Sequence, residues 1–252
     1  MSLATPSAAA DDAPVRSGGL LYAAWFWCVG APLLLLTGLA VCATPGIARR
    51  RRLARAGARN LLRAIGMPLQ VDGLEHLPGG ACIVVANHAS YLDGIVLTAA
   101  LPPDFSFVIK REALAVPLLG LLLRRLRSHF VDRFDRKAAR ADAGRMIRSA
   151  ASGHPIGIFP EGTFIAEPGL RPFRRGAFLT ACRADLSVVP IGIRGTRRAL
   201  GGGSWRPHRG ALKVEIRAAL RPCGRTLAAA ESLSTAARAQ VLDACGEPDR
   251  GA

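Results

Sequence analysis

Short apolar runs alternate with stretches of helical apolar–polar spacing over residues 67–222. Runs of about four to eight residues rich in Val, Ile and Phe are typical of strands, whereas apolar positions three and four apart are typical of helices. The runs that predict strands are residues 69–72, 81–86, 105–110, 129–132, 156–159, 188–193 and 212–217. The stretches that predict helices are residues 94–101, 118–126, 136–151 and 176–184. Because helices separate several of the strands, this order predicts an α/β domain with a central, largely parallel sheet.

The two ends of the chain lie outside this pattern. Residues 1–17 are mostly Ala, Ser, Asp and Pro, and we expect them to be disordered. Residues 223–252 are interpreted as a C-terminal helix and tail, with an Ala-rich helix over residues 225–243. The last residues, 246–252, are expected to fray.

A segment without charged residues precedes the domain. Residues 18–43 exceed the roughly 20 apolar residues that cross a bilayer. Trp25 and Trp27 lie near the start of this segment, where an aromatic belt is expected. Gly30 and Pro32 interrupt its middle, so the predicted membrane anchor is either one kinked helix or a hairpin of two half-helices. A cleaved signal peptide is the alternative, but the preceding residues lack the basic character of one.

Residues 44–66 are rich in arginine and contain no acidic residue. The arginines of this segment are Arg49, Arg50, Arg51, Arg52, Arg55, Arg59 and Arg63. Since positive charge keeps a flanking segment in the cytoplasm, we expect the catalytic domain on the cytoplasmic face of a bacterial inner membrane. The spacing predicts a basic amphipathic helix that lies on anionic lipid, and a solvated run of charges is the alternative.

The composition limits the classes of partner. The formal net charge is +16 while half of the residues are apolar, which indicates a folded protein with an anionic partner. The sequence has no zinc-finger spacing, basic zipper or aromatic RNA-binding motif, so an anionic membrane is favoured and nucleic acid is not expected. The six cysteines form no metal-binding pair, and neither a metal nor a tightly bound cofactor is expected.

The strongest candidate for chemistry follows the second predicted strand directly. Asn87 and His88 end the apolar run, and Asp93 comes five residues after His88. On one continuous helix these two side chains would be about 140° apart, so they meet only if the chain turns between them. A strand that ends at His88 would place the imidazole where open α/β sheets bind ligands. A carboxylate in contact with one ring nitrogen leaves the other free as a base, although a loop histidine beside a helix-capping aspartate gives the same spacing.

Four segments in order resemble the conserved blocks of the glycerolipid acyltransferases. They are Asn87-His88-x-Ser90-Tyr91-Leu92-Asp93, Phe130-Val131-Asp132-Arg133, Phe159-Pro160-Glu161-Gly162-Thr163 and Val188-Val189-Pro190-Ile191. The best-known members of the family are the 1-acylglycerol-3-phosphate (lysophosphatidic acid) acyltransferases, and the resemblance covers residues 64–222. The His-x-x-x-x-Asp spacing alone is weak, but four blocks in the family's order are specific. The resemblance implies a sheet of about seven strands flanked by helices, with His88 as general base and Asp93 as the residue that orients it.

The resemblance also implies the reaction. A fatty acyl group would pass from acyl-CoA or acyl-carrier protein to the free hydroxyl of a lysophospholipid, foremost lysophosphatidic acid. Because a thioester is already activated, no protein nucleophile is needed, which agrees with the absence of a G-x-S-x-G motif.

The residues expected to bind the acceptor come from the second and third blocks and from the strand between the first two. Lys110 and Arg133 each follow or end a strand, so both are placed to bind a phosphate at the same edge of the sheet. By resemblance, Glu161, Gly162 and Thr163 bind the glycerol-phosphate end. The structural alternatives are an ion pair for Arg133 and a helix cap for Glu161.

One position departs from the family pattern. Phe164 stands where the family commonly has Arg or Ser, so a phosphate-binding arginine is missing there. Arg171, Arg174 and Arg175 are candidate substitutes, and a lyso-ornithine lipid stays open as the acceptor. The apolar residues 114–123 are interpreted as core, acyl-chain groove or a surface that enters the bilayer. A non-catalytic, membrane-tethered basic binding protein and a thioesterase are the rival functions.

Overall fold

The computed structural model describes residues 19–132, Gly144, Arg148 and residues 153–251. The segment expected to be disordered, most of the predicted helix 136–151, and Arg133 therefore lie outside the described residues.

The described residues form one sheet of seven strands. The strands are β1 (Leu69–Asp72), β2 (Ile83–Ala86), β3 (Ser106–Lys110), β4 (His129–Val131), β5 (Ile156–Ile158), β6 (Val188–Arg194) and β7 (Leu212–Ile216). Their order across the sheet is β1-β7-β6-β2-β5-β3-β4, and all neighbours are parallel except β6 and β7. The predicted α/β fold with a largely parallel sheet is confirmed.

Helices cover both faces of the sheet. The α-helices that the structure describes from end to end are α1 (Leu20–Ala43), α2 (Ile47–Ala64), α3 (Asp93–Ala100), α4 (Pro117–Arg125), α5 (Gly176–Ala184), α6 (Thr196–Leu200) and α7 (Leu227–Cys245). The bounds of α5 match the prediction, whereas α6 was not predicted because five residues are too few to show a helical period.

Strand β2 is the centre of the core. Val84 and Ala86 face a cluster that includes α2 and α3, whereas Ile83 and Val85 face a cluster that includes α5 and α7. This alternation follows from the two-residue period of a strand, and all four side chains are fully buried. The carboxyl end of β2 is therefore held rigidly in the middle of the sheet.

Helix α1 is a single helix with Pro32 inside it, which corrects the alternative of two half-helices. By length and composition α1 is able to cross a membrane. It also packs along α2, where Gly57 leaves room for the side chain of Thr37: a Cβ atom at Gly57 would lie 2.2 Å from Thr37 Cγ2. Trp25 Nε1 donates a hydrogen bond to Ala64 O (3.1 Å), so the aromatic residues near the start of α1 fasten it to the domain.

The arginines of α2 do not all face lipid as predicted. Arg59 Nε donates to Ala99 O (2.8 Å) and an Arg55 nitrogen to Ala100 O (3.4 Å), and these carbonyls end α3. A cation is stabilised at a helix C-terminus, so these two arginines hold α2 against α3. The expectation of an anionic surface contact remains for the exposed Arg52 and Arg63.

The C-terminal tail is also ordered, and the expectation that it frays is wrong. Leu170 N donates to Pro248 O (2.8 Å) and Arg250 N donates back to Leu170 O (3.0 Å). The tail thus pairs with the segment that follows β5.

Candidate active site

The turn between His88 and Asp93 is formed as the spacing predicts. The side chain of Asn87 bonds both the N–H (2.7 Å) and the C=O (3.0 Å) of Ile193, which ties the end of β2 to β6. Helix α3 then begins at Asp93, and His88 Nδ1 lies 2.8 Å from Asp93 Oδ2. The imidazole therefore sits at the carboxyl end of the central strand, beside the first turn of a helix.

The carboxylate of Asp93 is completely buried. Its Oδ2 atom accepts three hydrogen bonds: from His88 Nδ1, from Ala89 N (2.6 Å) and from Ser90 N (2.8 Å). Two of these donors are backbone N–H groups of the turn that leads into α3. Because the carboxylate accepts from Nδ1, the proton of a neutral His88 lies on Nδ1 and the lone pair lies on Nε2.

The imidazole of His88 is packed between aromatic rings. It stacks on Phe159 with ring centroids 4.2 Å apart, and Phe164 contacts it edge-on at 4.6 Å. The His88 side chain is 20% exposed and lines a cavity. No residue in the described part of the chain hydrogen-bonds Nε2, so this nitrogen is available to a substrate.

Glu161 supports the same site from the next strand. Its Oε1 atom accepts from His88 N (2.6 Å) and its Oε2 atom accepts from Arg171 N (2.9 Å). The side chain is 3% exposed, and burial raises its pKa, although these two N–H groups oppose the rise. Glu161 does not line the cavity. The two hydrogen-bond partners of its carboxylate in the structure are backbone N–H groups of the protein itself. A contact with the acceptor stays a prediction.

Gly162 and Thr163 form part of the cavity wall. Gly162 has φ = +82°, and a Cβ atom there would lie 2.7 Å from Arg174 Nε. Only glycine suits both the backbone and the space. The Thr163 side chain is exposed at the wall, where its hydroxyl is accessible to a ligand.

A cavity of about 650 Å³ opens from His88 into the protein. Its walls come from α1, α2, α3, α4 and β3 and are mostly apolar. Leu122 and Leu123 of α4 line it, which supports the acyl-groove interpretation of residues 114–123, while Leu121 is exposed. Such a cavity suits an unbranched apolar chain.

Basic residues lie at the same cavity. Lys110, at the end of β3, and Arg174 both line it. Arg175 instead pairs with Glu231 of α7 (3.1 Å), and Arg171 contributes its backbone N–H to Glu161. Of the three candidate substitutes for the missing arginine, the structure thus favours Arg174.

The ring contacts of Phe159 and Phe164 with His88, and of Tyr91 with Phe164, were not predicted. Phe164 also packs edge-on against Tyr91, with centroids 4.8 Å apart. The signal available in the sequence was the family departure at Phe164, which places a ring where a cation was expected. Residues 19–132 and 153–251 bring no three His, Cys, Asp or Glu side chains together as metal ligands.

The candidate active site is thus a pair formed by a buried carboxylate and a histidine at the end of a parallel strand. The pair opens into an apolar cavity. The family model described as Acyltransferase matches residues 68–194, about half of the chain. The chain belongs to the Acyltransferase family.

Individual relatives make the family membership more specific. A 1-acyl-sn-glycerol-3-phosphate acyltransferase of Pseudomonas aeruginosa is 31% identical over 183 residues, which are 72% of this chain and 70% of that protein. A chloroplastic protein of the same description from Brassica napus is 31% identical over 136 residues, 53% of this chain and 39% of that protein. One from Chlamydomonas reinhardtii is 27% identical over 210 residues, 81% of this chain and 63% of that protein. The chain thus spans less than two thirds of the length of the latter two.

A solved structure shows the same fold. The crystal structure of the 1-acyl-sn-glycerophosphate (LPA) acyltransferase PlsC from Thermotoga maritima superposes with a TM-score of 0.72 at 19% identity. The match covers 89% of this chain and 95% of that one.

Proposed function

We propose that this protein transfers a fatty acyl group from an acyl thioester, acyl-CoA or acyl-carrier protein, to the free hydroxyl of lysophosphatidic acid, which gives phosphatidic acid. The observation that carries the proposal is the His88–Asp93 pair, whose free nitrogen opens into an apolar cavity. The similar proteins of Chlamydomonas reinhardtii and Pseudomonas aeruginosa are named for the same acceptor, 1-acyl-sn-glycerol 3-phosphate.

In the proposed reaction His88 Nε2 takes the proton of the acceptor hydroxyl as its oxygen attacks the thioester carbonyl. The imidazolium that forms is stabilised by the carboxylate of Asp93 at 2.8 Å. When the tetrahedral intermediate collapses, the C–S bond breaks and the thiolate that leaves takes the proton from the His88 imidazolium. The products are the ester and the free thiol, and His88 returns to its neutral form.

The acyl chain of the donor occupies the cavity in this proposal. Burial of each CH₂ group in an apolar site is worth about 0.8 kcal/mol. The binding free energy of the acyl chain therefore grows with the number of CH₂ groups that fit in the cavity. The rings of Phe159 and Phe164 cover part of the His88 imidazole, and in this proposal they limit the access of water, which favours transfer over hydrolysis.

The phosphate of the acceptor would be bound by Lys110 and Arg174, together with Arg133 as the sequence predicts. A phosphate monoester carries close to two negative charges at neutral pH, so its site needs more than one cation. Lyso-ornithine lipid carries a cation of its own and would be repelled by the same residues.

We therefore expect purified protein supplied with an acyl thioester to turn over lysophosphatidic acid faster than lyso-ornithine lipid at matched concentrations. The two acceptors are compared side by side by product formation. Faster turnover of the ornithine acceptor would overturn the phosphate assignment.

A matched pair of variants controls this comparison. Arg174→Ala should raise the KM for lysophosphatidic acid roughly tenfold, the loss of one charge-assisted hydrogen bond, and leave the KM for the thioester unchanged. Arg175→Ala removes an arginine that faces Glu231 instead, and it should leave both values unchanged.

We also propose that α1 and the exposed arginines of α2 hold the protein on the anionic, cytoplasmic face of the membrane. Large apolar side chains of α1 are exposed, among them Leu21 at 89%. An apolar contact is not screened by salt, whereas a purely ionic one is. Membranes washed in high salt are therefore expected to retain the protein, and quantitative release into the wash would mean that charge alone holds it.

A further inference from the structure

The segment after β5, residues 162–171, is here called the acceptor loop. It carries Phe164 against the ring of His88, and its last residue, Arg171, shares the carboxylate of Glu161 with the backbone of His88. Residues 162–171 contain no helix or strand, so neighbouring parts of the chain must hold them in place.

One arginine of α6 holds the first half of the acceptor loop. Arg197 Nη1 donates to Ile165 O (2.7 Å) and to Ala166 O (3.2 Å), and its Nε donates to Glu247 Oε1 (2.7 Å). The two side chains of this ion pair are 15% and 13% exposed. The planar guanidinium thus joins the loop to the C-terminal tail in a geometry that lysine does not reproduce.

The C-terminal tail, residues 246–251, holds the second half. Glu247 Oε2 accepts from Gly169 N (2.6 Å), and Leu170 exchanges backbone hydrogen bonds with Pro248 and Arg250. Arg238 of α7 bonds both Leu170 O (2.8 Å) and Asp249 of the tail. Glu247 is therefore the one carboxylate among the described residues that bonds both Arg197 and the loop.

We propose that the C-terminal tail is a clasp that positions the acceptor loop over the active site, with Arg197 and Glu247 as positioning residues. Neither residue lines the cavity, so each acts through the loop rather than on a substrate. The effect on catalysis rests on the proposed function, because the acceptor loop is the wall against which lysophosphatidic acid would bind.

The first test measures the clasp without any substrate. Backbone hydrogen exchange is followed in full-length protein for the peptide that contains residues 165–171. Glu247→Ala should speed exchange at the amides of Gly169 and Leu170 by at least about tenfold, because a charge-assisted hydrogen bond is lost. Glu247→Gln keeps an oxygen for the Gly169 amide and should fall between alanine and wild type, while exchange in β2 stays unchanged.

A matched carboxylate controls this measurement. Asp243 lies in the last turn of α7 and pairs with Arg217 (2.5 Å), away from the loop. In Asp243→Asn, the backbone amides of residues 165–171 should exchange at the wild-type rate. Wild-type exchange in Glu247→Ala, or an equal acceleration in Asp243→Asn, would overturn the clasp.

The second test measures its consequence for the site. In Glu247→Ala, kcat/KM for lysophosphatidic acid should fall at least about fivefold while the KM for the acyl thioester stays within about twofold, since small displacements at a site cost large factors in rate. Unchanged kcat/KM, or an equal rise of both KM values, would overturn the positioning role. A wild-type protein without transferase activity would instead contradict the proposed function, and the exchange measurement would still decide the clasp.

Discussion

Replacing His88 by alanine is expected to lower kcat for acyl transfer at least about 10²-fold, the low end of what a positioned general base contributes. We expect the KM values for both substrates to change little, because the variant keeps the cavity and the basic residues that line it. Since Asp93 would keep its two backbone donors, from Ala89 and Ser90, the turn should stay folded. Steady-state kinetics and a thermal melt of the same preparation measure both effects.

The control for this variant is another histidine. His154 is exposed and lies just before β5, at the amino end of a strand, so it is on the opposite edge of the sheet from His88. His154→Ala should transfer acyl groups as wild type does. Near-wild-type turnover in His88→Ala would contradict the assignment of the base.

Replacing Asp93 by asparagine is expected to lower kcat roughly 10²-fold, with a smaller loss of stability than alanine causes. All three hydrogen bonds of Asp93 converge on the single atom Oδ2, so an amide oxygen at the same place accepts them all. The variant therefore keeps these three hydrogen bonds and removes the charge that stabilises the imidazolium. Its amide nitrogen takes the place of Oδ1, a buried atom without a hydrogen-bond partner among the described residues. Charge-assisted hydrogen bonds exceed neutral ones by about 1–2 kcal/mol, and the full loss of the ion pair in a buried site adds to this.

Comparison with Asp93→Ala distinguishes the effect of the carboxylate charge on activity from its effect on the stability of the fold. It leaves the N–H groups of Ala89 and Ser90 without their acceptor in a buried turn, which should destabilise the protein by at least about 2 kcal/mol. We expect the alanine variant to lose both activity and several degrees of Tm, and the asparagine variant to lose activity with a smaller shift of Tm. Equal activity of Asp93→Asn and wild type would show that the carboxylate charge has no part in the reaction.

Local features of the chain were predictable because local spacing determines them. The five-residue separation of His88 and Asp93 required a turn, and the apolar run before it required a buried strand, which is β2. The order of strands was not predictable in the same way. Strand β1 pairs with β7, which follows it by more than a hundred residues, and no spacing in the sequence indicates that neighbour.

The errors share one physical cause: the pattern shows that a residue is basic or polar but not what it faces. Arg59 was expected to face lipid and instead bonds the last carbonyls of α3. Glu247 was placed in a fraying tail, and it bonds Gly169, 78 positions away in the chain.

In the proposed reaction the acyl group goes to a lipid hydroxyl rather than to water. The most direct measurement is the release of free thiol from an acyl thioester by purified full-length protein, with and without lysophosphatidic acid, and with His88→Ala as the blank. We expect that thiol release requires lysophosphatidic acid and equals the phosphatidic acid formed, mole for mole. Thiol release at the same rate without the acceptor, with free fatty acid as the product, would contradict it.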